Sequence, residues 1–513
     1  IAQVSDLTLG DLQSWKQDVL KTLPDDMGTM ATSLFKEFDE NLRPLLELGL
    51  DYLTLSRNGN TLSTGELQRI QLARTLRTQT TGVLYILDEP SIGLHPDNIT
   101  GLLNVFKELV AQGNSLVVVD HNVDIIKAAD WIIEIGPGSG AEGGQVIAQG
   151  TPGEIAADPQ SKIGPYLNGT AKLAARKLMR IPAHQEIKFA VNHYFNLNNV
   201  TAHLPVNRIS AITGFSGAGK TSLILDSLVP AIKDQAKNQP LPQQVTKLAS
   251  PLKEVVSVDA APIGKTQRST VATYTSIMDN LRRLFADQPL AKEKHYTASY
   301  FSYNNKQGAC PNCGGAGIVT LDIQFLPDMQ QTCQVCNGDR YNQDVQQVKW
   351  HGYSIVDILK LDVREALKVF VDVTKIEREL KLLQEVGLAY LHLGESAPSL
   401  SGGEAQRLKL VKHLNRNQAT TLFVFDEPTI GLHPLDVKTL VNVMQQLVDR
   451  GATIVTITHD LNLIANADYM LDLGPRGGKN GGQIVAEGSP QQLVKDPQSL
   501  TTKYLAEYLQ RFE

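Results

Sequence analysis

The run Gly214-Phe215-Ser216-Gly217-Ala218-Gly219-Lys220-Thr221 fits the pattern of a phosphate-binding loop without a mismatch. It follows the apolar stretch Arg208-Ile209-Ser210-Ala211-Ile212-Thr213 and opens Thr221-Ser222-Leu223-Ile224-Leu225, which reads as helix. That strand–loop–helix setting is what the motif requires. Its glycines let backbone N–H groups converge on phosphate oxygens, and the helix N-terminus adds positive potential. Lys220 is then placed to reach the β- and γ-phosphates and Thr221 to bind Mg²⁺. Gly214, Ser216, Gly217, Gly219 and Ser222 complete the nucleotide-binding set. The complementary half is Phe423-Val424-Phe425-Asp426-Glu427. Asp426 ends an apolar run, where it can hold Mg²⁺ through water, and Glu427 follows, placed to orient or deprotonate an attacking water. His459 ends a second apolar run, Thr453-Ile454-Val455-Thr456-Ile457-Thr458, and could contact a γ-phosphate. A lone histidine at a strand end is usually structural, but this one recurs in register as His121. Together these residues predict binding and hydrolysis of ATP.

The four cysteines lie in the pattern Cys310-x2-Cys313-x19-Cys333-x2-Cys336. This is the spacing of a tetrahedral four-cysteine zinc site, with Gly314, Gly315, Gly317 and Gly338 for the tight turns. The alternative, a pair of redox dithiols, lacks a thioredoxin-like context. Four thiolate ligands leave no open position, so the expected Zn²⁺ is structural.

The nucleotide-binding set has a partial duplicate. Gly49 maps to Gly387, Asp88 to Asp426 and His121 to His459, each with an offset of 338 (387 − 49, 426 − 88, 459 − 121). The offset holds over residues 48–152 and 386–490, so neither copy has an insertion there. Subtracting 338 from 220 gives −118, so a matching lysine for the first copy is expected about 118 residues before Ile1. The chain thus reads as the C-terminal part of a longer duplicated protein.

Leu62-Ser63-Thr64-Gly65-Glu66 and Leu400-Ser401-Gly402-Gly403-Glu404 resemble the signature sequence of ABC-type ATPases, and Asp88-Glu89-Pro90-Ser91 and Asp426-Glu427-Pro428-Thr429 complete the resemblance. It implies two nucleotide-binding domains packed head to tail, each ATP lying between one domain's phosphate loop and the other's signature. One complete site is therefore expected in this chain. It would combine Gly214–Ser222, Asp426, Glu427 and His459 with Ser63, Gly65 and Glu66. The signature at 400–404 would face a loop upstream of Ile1.

An ABC ATPase with a zinc module between phosphate loop and signature resembles the UvrA family, the damage-recognition subunit of bacterial nucleotide excision repair. The stretches that carry the resemblance are 214–221, Pro262-Ile263-Gly264-Lys265-Thr266, Ala272-Thr273-Tyr274-Thr275, 301–341 and 400–434, with 49–55 and 86–96 in the first copy. It implies a cytoplasmic, ATP-dependent protein that binds double-stranded DNA as a homodimer. It further implies an excinuclease subunit without nuclease activity of its own, which loads a UvrB-like helicase partner through the part upstream of Ile1. Three departures stand out. Thr64 replaces the usual signature glycine, as in UvrA-like paralogues, some linked to resistance to DNA-binding drugs; that is the alternative reading. Val258-Asp259-Ala260-Ala261-Pro262 lacks the glutamine the family usually carries before the Pro-Ile-Gly loop, which supports ATP binding more than hydrolysis. The zinc module is less basic than a DNA-gripping one, although Lys306 and Arg340 are present.

These residues need a scaffold. Leu84–Asp88 and Leu116–Asp120, like 423–426 and 453–458, are short apolar runs ending at the acidic residue or histidine, as buried parallel strands do. Long intervening stretches suit crossover helices. The expected fold is α/β: two tandem ABC-type ATPase domains, the first lacking its phosphate-loop part, and a helical, zinc-binding subdomain inserted in the second. The expected boundaries are 1–160, a linker at 161–189, and 190–513 with the insertion at about 240–395. Lys172, Arg176, Lys177 and Arg180 in the linker read as a solvated face. A length of 513 residues, 42% hydrophobic and 20% charged, suits a multidomain globular chain. No apolar run approaches the roughly 20 residues of a membrane helix, so no membrane partner is expected. The net charge of −6 is not that of a dedicated nucleic-acid binder. Any DNA contact must be a local basic surface, for which Lys265, Arg268, Arg282, Arg283, Lys306 and Arg340 are the candidates.

Overall fold

The computed structural model describes the chain except residues 25–26, 63, 78–79, 139, 141–142, 172–184, 260–262, 265, 322–328, 415–416, 496 and 512–513. Two compact units result: 1–136, 145–259 and 417–513 form the first, and 137–144 with 260–416 the second.

The first unit is built on a six-stranded sheet in the order Gln483–Gly488, Tyr469–Gly474, Ile209–Gly214, Thr453–Ile457, Thr421–Asp426, Glu254–Val258. The first pair is antiparallel and the rest are parallel. Ile209–Gly214 and Thr453–Ile457 are buried at every residue, which explains why both are apolar or small throughout instead of alternating. A three-stranded antiparallel sheet, Leu197–Pro205, Glu186–Tyr194 and Val245–Ala249, packs on it through a shared core of Phe189, Val191, Leu422, Val424, Leu471 and Leu473. The phosphate-loop strand is central, and it ends level with the strands that carry Asp426 and His459. Ligands of open α/β sheets bind at such carboxyl ends.

In the first copy, Leu84–Asp88 pairs in parallel with Ser115–Val119, and Ile132–Gly136 pairs antiparallel with Gln145–Gly150. Among the described residues no strand joins these two pairs. Helix Pro96–Ala111 covers one face, around Leu102, Val105 and Leu109. Leu84, Ile86, Val117, Val119, Ile133 and Ile135 on the other face are exposed. The strands pair in parallel as expected, and the face carrying Tyr85, Leu87, Leu116 and Val118 packs into the core. Burial of the exposed face needs a covering layer like 186–249, which has no counterpart here among the described residues.

The second unit is mainly helical. Helix Ile277–Ala286 packs on Thr374–Glu385, which in turn packs on Val363–Val369 and the signature helix Gly402–Val411. Capping boxes at Ser354, Asp362 and Ser401 start three of its helices by satisfying backbone N–H groups that have no partner within the helix. A short hairpin, Ile318–Leu321 with Met329–Thr332, stands between the two cysteine pairs.

Candidate functional site

The phosphate loop owes its shape to residues that only glycine can supply. Gly214 has φ 126° and Gly217 φ 74°. A Cβ at 214 would lie 2.0 Å from Leu473 O, and one at 217 would lie 2.8 Å from the Tyr52 ring. The Lys220 ammonium donates to Gly214 O and Phe215 O, each at 2.8 Å, and to His459 Nε2 at 3.0 Å. Burial pushes Lys220 down, to about 8, against the pull of Glu427, Asp472 and Asp426. His459 is held neutral by burial and by the neighbouring Lys220, so its Nε2 is free to accept. Its Nδ1 is buried without a partner among the described residues. Glu427 Oε1 lies 3.5 Å from His459 Nε2, and burial raises its carboxyl above the usual range, opposed by Lys220. A carboxylate of raised pKa is a better proton acceptor near neutral pH. The backbone of Glu427 has φ 45°, an unusual conformation for a residue with a side chain, and Glu89 of the first copy repeats it at φ 46°. Asp426, half-buried, feels Lys220 and also Asp259 at the end of the edge strand. Thr221 is exposed at the start of helix Lys220–Leu223, with Ser222 half-buried after it.

The signature at 62–66 belongs to this same unit. Ser63 lies outside the described residues. Gly65 lies in the first turn of helix Thr64–Arg77, where a Cβ would meet Ile92 O at 3.1 Å, and its carbonyl accepts from Arg69 Nε at 3.0 Å. Glu66 is buried and accepts a hydrogen bond from the Tyr52 hydroxyl, with Arg57 Nη2 3.5 Å from its other oxygen. The Tyr52 oxygen is in turn 3.0 Å from Ser216 Oγ in the phosphate loop. The first copy's signature and the second copy's loop are thus joined through a tyrosine the sequence reading passed over.

A second missed group lies beneath the loop. His95, fully buried, stacks on Phe215 with ring centroids 4.3 Å apart. Its Nε2 is 3.1 Å from Thr501 Oγ1, Thr501 donates to Asp472 Oδ1 at 3.0 Å, and Thr213 donates to the same oxygen at 2.6 Å. Since Thr501 gives its hydrogen to Asp472, it accepts from His95 Nε2–H. His95 Nδ1 then accepts from Asp97 N at 3.2 Å. Burial, with Lys220 nearby, pushes His95 down to about 3 and keeps it neutral, as this bonding requires. The only sequence signal was the recurrence of Gly-Leu-His-Pro at 93–96 and 431–434.

In the second unit the four cysteine sulfurs all lie within 4.8 Å of one another, with Cys310–Cys333 at 3.9 Å and Cys313–Cys336 at 3.7 Å. Zn–S bonds of about 2.3 Å in a tetrahedron set sulfurs about 3.8 Å apart, so the cluster fits Zn²⁺. Asn312 Nδ2 and Gly317 N donate to Cys333 and Cys313 sulfurs at 3.3 and 3.2 Å, contacts that favour thiolates. Among the basic candidates, Arg268, Arg283 and Lys306 are exposed. Arg282 is paired with Asp279, and Arg340 lies over the Tyr303 ring at 5.4 Å. Lys265, Lys172, Arg176, Lys177 and Arg180 lie outside the described residues. No helix among the described residues is long and apolar enough to cross a membrane.

A family model described as ABC transporter matches residues 197–430. The chain is 45% identical over 498 residues to UvrABC system protein A of Thermus thermophilus, covering 96% of this chain and 52% of that protein. It is 42% identical over 515 residues to the protein of that name from Aquifex aeolicus, covering 100% and 56%. The crystal structure of UvrA2 from Deinococcus radiodurans superimposes with a TM-score of 0.90 at 38% identity, covering 99% of this chain and 63% of that one. The chain spans about half the length of the curated relatives it matches.

Proposed function

This chain belongs to the UvrA family of ABC-type ATPases, and from that premise we propose that it binds one ATP with Mg²⁺, hydrolyses it slowly and serves DNA-damage recognition in nucleotide excision repair. The observation that carries the nucleotide part is one cluster in one compact unit. Lys220, His459 and Glu427 meet at the loop, and Ser216 reaches the first copy's Glu66 through Tyr52. In this reading Lys220 leaves the carbonyls of Gly214 and Phe215 for the β- and γ-phosphates. Thr221 and Asp426 hold Mg²⁺, which neutralises phosphate charge. Gly65 and Glu66, with Ser63, close over the γ-phosphate, Glu427 takes a proton from the attacking water, and neutral His459 steadies the γ-phosphate. The absence of the family's usual glutamine from the sequence 258–262 leaves the metal and water with one fewer polar partner, hence slow turnover. Zn²⁺ on the four cysteines is structural.

For DNA we propose a two-fold dimer that grips the duplex by phosphate contacts from Arg268, Arg283 and Lys306, with Lys265, Arg282 and Arg340 as secondary candidates. Such a protein would work in the cytoplasm, with a UvrB-like helicase as its partner. Titration with a non-hydrolysable ATP analogue is expected to give one nucleotide per chain and none for Lys220→Ala; two per chain would overturn the single composite site. Affinity for damaged over undamaged duplex, followed across a salt series, tests the DNA part. Arg283→Ala with Lys306→Ala is expected to lower the slope by about one unit per lost phosphate contact. Binding with no salt dependence would remove the phosphate grip.

A further inference from the structure

We infer that Tyr52 is a positioning residue for ATP turnover: it ties the phosphate loop to the signature of the other copy when no γ-phosphate is present, and goes on holding Glu66 of that signature in place when a triphosphate enters and releases the loop. The inference rests on the nucleotide-binding reading above and goes beyond the residues that reading uses.

Four contacts carry it. The Tyr52 ring lies against Gly217, where an added Cβ would come within 2.8 Å of it, and the Tyr52 Cβ is 3.4 Å from where side chains at Gly477 and Gly478 would begin. The ring is therefore held between the phosphate loop and the turn after Tyr469–Gly474. The short segment that carries it is pinned by Leu48, Leu50 and Leu53, all buried. At the far end its hydroxyl donates to Glu66 and accepts from Ser216 Oγ at 3.0 Å. Burial and the bond to Glu66 raise the phenol well above its usual range, so it remains a donor at any working pH.

A hydroxyl has one hydrogen to give. Tyr52 commits its hydrogen to Glu66, and Ser216 commits its own to Tyr52. A γ-phosphate entering between loop and signature offers Ser216 a stronger, charged acceptor. Tyr52 then loses its tie to the loop while keeping its tie to the signature. ADP has no γ-phosphate at that position and leaves the bridge as it is. Tyr390, 338 residues on, makes the same bond to Glu404 at 2.5 Å in the second unit, so the tyrosine–glutamate pair is part of each signature's architecture.

The test is steady-state ATP hydrolysis and equilibrium ADP binding by the full chain, comparing wild type with Tyr52→Phe, Tyr390→Phe and Lys220→Ala. Tyr52→Phe keeps the ring against Gly217 and removes only the bridge. The expected result is a kcat at least tenfold lower, with KM and the ADP dissociation constant within about twofold of wild type. Tyr390→Phe is expected to leave all three within about twofold. Wild-type kcat in Tyr52→Phe overturns the inference, as does an equal loss of ADP and ATP affinity, which would mark the tyrosine as merely structural. If wild type binds nucleotide no better than Lys220→Ala, the functional reading itself falls, and Tyr52 with it.

Discussion

The two copies present corresponding apolar strands before the same acidic pair, yet Leu84 and Ile86 are 57% and 69% exposed where Leu422 and Val424 are 0% and 1%. The local backbone does not register the difference. Glu89 and Glu427 share a left-handed φ of 46° and 45°, and His95 and His433 each cap the following helix by accepting from a backbone N–H. What differs is the layer above. The second copy has the strand Ile209–Gly214 and the antiparallel sheet over it; the first has neither among the described residues. Motif geometry is thus a property of a few neighbouring residues, whereas burial and the chemistry that follows from it belong to the layer. Glu427 sits in a buried cluster with Lys220, while Glu89, also raised by burial, is only half-buried and lies 3.7 Å from the half-exposed His121.

The largest effect expected from this asymmetry is catalytic. Glu427→Gln should lower turnover by about 10²–10⁴-fold with ATP binding retained, because only the water-activating carboxylate is lost. Glu89→Gln should leave turnover within about twofold. Equal losses would mean that both copies hydrolyse, and the comparison would break.

A stability pair comes next. Leu422→Ala, in the closed core, should cost about 2–5 kcal/mol in denaturant unfolding. Leu84→Ala, at the corresponding exposed position, should stay within about 0.5 kcal/mol. A large cost at Leu84 would show that its face is covered in solution.

The smallest effect concerns pH. His95 is lowered from 6.5 to about 3 by burial, so the unfolded chain binds a proton that the folded chain refuses. Its contribution to stability is therefore present above pH 6.5 and erodes as pH falls below it, by about 1.4 kcal/mol for the first full unit. His433, half-buried and lowered chiefly by burial, should contribute a shallower slope. Thermal unfolding between pH 7 and 5 should flatten in His95→Gln more than in His433→Gln; the reverse order would refute the assignment.

The parts legible in the sequence were those whose chemistry is local. The phosphate loop is a run of eight residues whose glycines are dictated by their own backbone. The cysteine pairs are knuckles closed by nearby glycines, and the acidic pair and histidine sit at the ends of their own strands. Each can be read from spacing alone because neighbours in the chain enforce it. Tyr52 and Ser216 are 164 residues apart, and His95 and Thr501 are 406 apart. Neither pair leaves a periodic or compositional trace, since a tyrosine after a buried leucine or a threonine in a terminal helix is unremarkable by itself. The amino-acid order alone thus determined which groups could handle phosphate and metal. Only the tertiary structure decided that Tyr52 joins Ser216 to Glu66, that His95 lies buried against Phe215, and that Glu427 is buried beside His459: those outcomes depend on contacts that close over hundreds of residues.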